Sequence, residues 1–151
     1  MKFLLALLLV LNFAGCTTII ITKDRQAVST LEDKIALARS LSDDKIYTLT
    51  RTLSAYINTE EDRKVLREEM IKRHPEWTPA MKALVEEGRI AIGMLEEQVL
   101  SSWGKPKNIN KNAGPQGVFE QWLYGGGHIS YDTTYYVYLQ NGVVVSWQKN
   151  E

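Results

Sequence analysis

The chain reads as an α+β protein, with helices packed against one face of an antiparallel sheet. Three observations predict this. Residues 29–103 place apolar side chains at helical intervals between capping signals. Residues 118–148 are rich in aromatic and β-branched residues, and Asn141-Gly142 between two such runs supplies a type I′ hairpin turn.

Residues 1–15 read as an export leader. Lys2 is followed by an apolar run from Phe3 to Phe13, broken only by Asn12. A membrane span takes about 20 apolar residues, so this run is too short; a signal-peptide core takes about 7–15, which fits. Phe13-Ala14-Gly15-Cys16 then sets two small residues before the single cysteine of the chain. The segment resembles a lipobox, whose cysteine takes a diacylglycerol thioether and becomes the first residue of the mature protein. Phe13 stands where Leu is usual. The resemblance implies a covalent lipid on Cys16 and attachment to a membrane through acyl chains, each buried CH₂ contributing about 0.8 kcal/mol. The competing reading is an ordinary secretory signal followed by an incidental free thiol. Either way, one cysteine excludes an intramolecular disulfide.

Residues 16–28 form a tether in this reading, although Ile19-Ile20-Ile21 fits an edge strand equally well. Residues 29–74 form a helical segment. Ser29 and Glu32 stand at capping-box spacing, and Leu31, Ile35, Ala38 and Leu41 recur at helical intervals. Ser42 with Asp43 and Asp44 starts a second helix, its acids complementing the helix dipole. Ile46, Leu49, Leu53, Tyr56 and Ile57 form that helix's stripe. Asn58 or Thr59 caps a third helix led by Glu60, Glu61 and Asp62, with Val65, Leu66 and Met70 as its buried candidates. These stripes suit a helical hairpin packed on itself or on the rest of the chain better than a partner-binding coiled coil.

Residues 75–149 make a second unit. Thr78-Pro79 is a cap followed by proline at the first helical position. Met81, Leu84 and Val85 face inward, and Gly88 ends the helix. A short helix runs from about Leu95 to Trp103, closed by Gly104 and Pro106. Lys105 to Gly117 is rich in Asn, Lys and Gly and reads as a loop. Val118 to Tyr124, Tyr135 to Gln140 and Val143 to Gln148 are then expected to form a three-stranded antiparallel sheet, with Gly125 to Thr134 as a longer connection.

Ile92-Gly93-Met94, Glu97-Gln98-Val99, Ser102-Trp103-Gly104-Lys105-Pro106, Glu120-Gln121-Trp122-Leu123-Tyr124 and Tyr136-Val137-Tyr138-Leu139-Gln140-Asn141-Gly142 occur in that order. This ordered set resembles the SmpA/OmlA (BamE-like) family of outer-membrane lipoproteins over about residues 77–148. The resemblance implies an ααβββ fold and a role in outer-membrane protein assembly or envelope integrity. A related fold serves secreted β-lactamase inhibitors, so an inhibitor or ligand-binding module is the alternative. The helical segment 29–74 is additional to the minimal family module, and Leu95 stands where relatives often carry a Thr or Ser cap. Thr17 after the cysteine is not the Asp that retains lipoproteins in the inner membrane of enterobacteria. The resemblance therefore implies a lipid-anchored protein of the outer membrane, facing the periplasm.

With 18 basic and 18 acidic residues, the chain shows no nucleic-acid footprint. Removing Lys2 with the leader leaves 17 basic residues against 18 acidic, a mature charge of about −1. No catalytic, metal or cofactor motif stands out. His74 ends a helix, where a cation is favoured, and His128 with Asp132 sits in a glycine-led connection after Gly125-Gly126-Gly127. The expectation is a binding protein and not an enzyme, with envelope proteins, including outer-membrane assembly components, as partners. Trp122, Tyr124, Tyr136, Tyr138 and Trp147 are the candidate interaction surface, because aromatic residues are enriched at interfaces. Lys105 and Lys107, with Lys111, make a basic loop suited to anionic headgroups, each worth about 1 kcal/mol near such a surface. On strand alternation Tyr136 and Tyr138 share a face opposite Val137 and Leu139.

Overall fold

The structure, a computed structural model, describes residues 30–52, 59–125 and 134–150. The leader, Cys16, the tether, the stripe positions Leu53, Tyr56 and Ile57, and the pair His128 and Asp132 lie outside the described residues.

Capping chemistry sets the helix starts. Helix α1 (Leu31–Ser40) begins at Thr30, whose hydroxyl accepts the Asp33 N–H at 3.1 Å while the Asp33 carboxylate accepts the Thr30 N–H at 3.2 Å. This box lies one residue beyond the Ser29/Glu32 spacing, because the shorter Asp reaches back as well as Glu does. Leu31 falls on the solvent side, 62% exposed, so the apolar stripe reduces to Ile35, Ala38 and Leu41. Helix α2 (Asp43–Arg51) starts at Ser42, α3 (Glu60–Arg73) at Thr59 and α4 (Pro79–Glu86) at Thr78. Helix α5 (Glu96–Trp103) lacks a hydroxyl cap; Gln98 Oε1 instead accepts the Leu95 N–H at 2.9 Å.

Two buried clusters follow from these stripes. Ala38, Leu41, Ile46, Val65, Leu66 and Met70 pack among α1–α3. Trp77, Val85, Ile90, Met94 and Val99 pack with Trp122, Tyr124, Val137, Leu139 and Val144 of the sheet. Arg73 locks the first cluster, donating to the Ala38 and Leu41 carbonyls at 3.0 Å each and pairing with Asp43. None of the described helices is long and apolar enough to cross a membrane.

The sheet corrects the strand count. It is a four-stranded antiparallel meander of β1 (Asn108–Gly114), β2 (Gly117–Gly125), β3 (Thr134–Gln140) and β4 (Val143–Asn150), paired in that order. Strand β1 lies in the expected Lys105–Gly117 loop. Its sequence, NINKNAG, has weak β propensity, and all of its residues are exposed. Backbone pairing to β2 from Asn108↔Leu123 to Gly114↔Gly117 forms it nonetheless, an override of propensity that β-strands commonly show. Polar and lysine-bearing residues also suit an unpaired edge. The Asn141-Gly142 turn is as expected, both residues having positive φ (52° and 77°). At the opposite edge, residues 93–96 lie along the start of β4, Val144 N–H donating to Met94 O and Glu96 N–H to Gly142 O at 2.8 Å each.

Candidate functional site

Alternation on the four strands gives the sheet two unlike faces. The face toward the helices carries Trp122, Tyr124, Val137, Leu139 and Val144, each at most 1% exposed. The expectation that Trp122 and Tyr124 belong to an interaction surface is thus corrected: both rings are core. Tyr124 donates from its hydroxyl to Gly104 O at 3.0 Å, and burial pushes its phenol well above the ordinary tyrosine range. Trp122 Nε1 donates to Glu120 Oε2 at 2.8 Å.

The other face is covered by no described element. Tyr136 and Tyr138 lie on it, as the alternation requires, beside Phe119, Gln121 and Leu123 of β2 and Asn110 of β1. One polar rung crosses all four strands. Asn110 Nδ2 donates to Gln121 Oε1 at 2.9 Å, and Gln121 Nε2 and Gln148 Nε2 each donate to the Tyr138 hydroxyl at 3.1 Å. With both contacts accepted, the Tyr138 O–H proton remains free to donate outward. Around the rung Phe119 is 39% exposed and Val145 44%. Val145 is unpaired at a bulge, since Leu139 pairs with Val144 but Tyr138 with Ser146. The face therefore combines a fixed hydrogen-bonding rung with exposed apolar flanks. Rings held in place in this way lose little freedom on docking.

The remaining candidates separate. Trp147 is exposed (45%), but its register partner is Val137, so it lies on the helix side of the sheet, at an uncovered edge. Lys105 is no free cation: it pairs with Asp44, and its N–H donates to Tyr47 O at 3.1 Å. Lys111 pairs with Glu120, and this bond holds the Glu120 carboxyl below its ordinary range. Lys107 is exposed at the start of β1, its N–H donating to Leu123 O at 2.7 Å. The basic loop is thus largely an ion-paired edge. Asn110, Gln121 and Gln148 were not foreseen as site residues. The signal that finds them is register, which the hairpin turn fixes only as far as Leu139 and Val144, before the bulge shifts β4 by one residue, and which nothing in the sequence fixes for β1.

One ring nitrogen of His74 and one carboxylate oxygen each from Glu76 and Glu97 lie within 4.8 Å of one another, a spacing able to hold a metal ion. These groups already hold one another. His74 Nδ1 meets Glu76 Oε1 at 2.8 Å, the His74 ring stacks on Trp77 at 4.4 Å, and Trp77 Nε1 donates to Glu97 Oε1 at 3.1 Å. The chain of contacts joins the end of α3 to α5.

No protein-family model, curated protein or solved structure matches this chain.

Proposed function

We propose that the protein is a lipid-anchored module of the bacterial cell envelope that binds a partner protein through the helix-free face of its sheet. The partner belongs to the outer membrane's integrity or protein-assembly apparatus, and the module acts by binding and not by catalysis. The observation that carries the reading is the Asn110–Gln121–Tyr138–Gln148 rung flanked by Phe119, Leu123, Tyr136 and Val145. Support for the location comes from the lipobox-like Phe13-Ala14-Gly15-Cys16 and from the ordered motifs resembling the SmpA/OmlA lipoproteins. A diacylated Cys16 would confine the module to a bilayer surface, where a preorganised face meets its neighbours at high local concentration.

The Tyr136→Ser/Tyr138→Ser double variant tests the face. Buried interface tyrosines commonly contribute about 2 kcal/mol or more each, so loss of both should weaken capture of the partner by well over tenfold. Stability should change by only about 1 kcal/mol, the scale of cross-strand pairs. Captured envelope proteins from wild-type and variant membranes would be quantified side by side by mass spectrometry. Identical partner sets and amounts, with both chains folded, would exclude this face. If the captured protein is a hydrolase whose activity falls on binding, the module is an inhibitor working through the same surface.

A further inference from the structure

On the opposite side of the sheet, where α2 and α3 meet α5, a cleft of about 290 Å³ opens between the two buried clusters. Among the described residues its lining holds three arginines, Arg51, Arg63 and Arg67, against one carboxylate, Glu60. Arg67 is only 4% exposed, and a buried charge needs compensation close by. Glu60 supplies some, one carboxylate oxygen meeting Arg67 and the other accepting from Arg63 Nε at 2.9 Å. Arg67 Nε donates to Glu86 O at 3.1 Å, and Arg51 Nη1 to Lys105 O at 3.2 Å. These contacts leave further N–H groups on each guanidinium and a cationic excess at the cleft.

The other wall is aromatic, and two of its three ring polar atoms are already engaged. Trp103 Nε1 donates to Gly88 O at 2.8 Å and the Tyr124 hydroxyl to Gly104 O at 3.0 Å. Trp103 meets Tyr124 and Tyr135 edge to face at 5.3 and 5.2 Å, which fixes the rings. What Trp103 and Tyr124 offer the cleft is carbon, and Tyr135 adds a ring with its hydroxyl. The cleft's volume is about ten water volumes, near the lower end of ligand pockets.

We propose that this cleft binds a small organic anion, a carboxylate or phosphate ester whose head meets the arginines and whose single ring or short apolar body lies on the aromatic wall. Forked guanidinium donors match both head groups. The site is separate from the docking face, so failure of either leaves the other standing.

Benzoate, phenyl phosphate, inorganic phosphate and neutral benzamide would be titrated calorimetrically into the full mature chain in detergent, with Arg51→Gln/Arg63→Gln as the variant. Both residues lie at the half-buried rim, so the fold survives their neutralisation, which circular dichroism checks. Benzoate or phenyl phosphate should bind, benzamide should not, and the variant should bind at least roughly tenfold more weakly, the scale of a lost charge-assisted contact. Binding of inorganic phosphate alone, equally reduced in the variant, supports the arginine head site. No binding of any anion to the wild type, equal binding of benzamide, or equal affinity in the folded variant would overturn the proposal.

Discussion

Trp122→Ala should lower stability by about 3–5 kcal/mol, the scale of a large core truncation, and depress the melting temperature by roughly 10–20 °C. Against a total of roughly 5–15 kcal/mol for a typical domain, this leaves the fold marginal. Trp122 is 1% exposed within the cluster that includes Val99 and Val137, so truncation removes buried apolar area and opens a cavity. It also deprives Glu120 of the indole N–H it accepts at 2.8 Å. Trp122→Phe should fall between wild type and alanine. It keeps an aromatic ring but loses the donor and one ring of the indole, at a cost of about 2–3 kcal/mol. Trp147→Ala, at a 45% exposed edge position, should cost about 1 kcal/mol or less. Urea unfolding of the three variants measures all of this. Equal losses at Trp122 and Trp147, which share a face, would mean that the β4 edge is covered as fully as the centre of the sheet.

Gly104→Ala should be the next most damaging, at about 3 kcal/mol or more. Gly104 lies at φ 75° and ψ −166°, a region essentially confined to glycine, where another residue is strained by about 1–3 kcal/mol. Space is short as well. A Cβ there would stand 2.6 Å from Tyr47 O and 2.7 Å from Arg51 N, both backbone atoms of α2. To admit it, α2 must move off α5 and break the Lys105 N–H to Tyr47 O bond. Hydrogen exchange should therefore show α2 losing protection before strands β2 and β3. Gly93 provides the control. It too has positive φ (89°), but a Cβ there meets nothing within 4 Å, so Gly93→Ala should cost only about 1 kcal/mol. Equal costs at the two glycines would remove Gly104 as the joint between the helical segment and the sheet unit.

What the sequence made legible was whatever is encoded over a few residues. Ser42 and Thr78 carry their caps in plain view, Thr59 is one of two candidates for the third, Gly104 ends α5, and Asn141-Gly142 sets a hairpin whose φ values leave little alternative. Strand alternation likewise placed Tyr136 and Tyr138 opposite Val137 and Leu139. It does not say which face meets the helices. In β2 both faces carry large rings, Phe119 on one and Trp122 with Tyr124 on the other, so hydropathy alone does not orient the sheet. Strand β1 escaped because its stability comes from pairing with β2 and not from the side chains of NINKNAG. The polar rung needs three pairings in register at once. The arginine cleft was half legible, since Arg63 and Arg67 sit one helical turn apart, but Arg51 joins them only through the packing of α2 against α3.

The functional account turns on a covalent event at Cys16 that holds the folded module at a membrane. Intact-mass analysis of the chain purified from the membrane fraction reads it directly. The account predicts a product beginning at Cys16 and heavier than the polypeptide by a diacylglycerol group, with or without a further acyl chain. A product with an unmodified Cys16, or with residues 1–15 still attached, would contradict it.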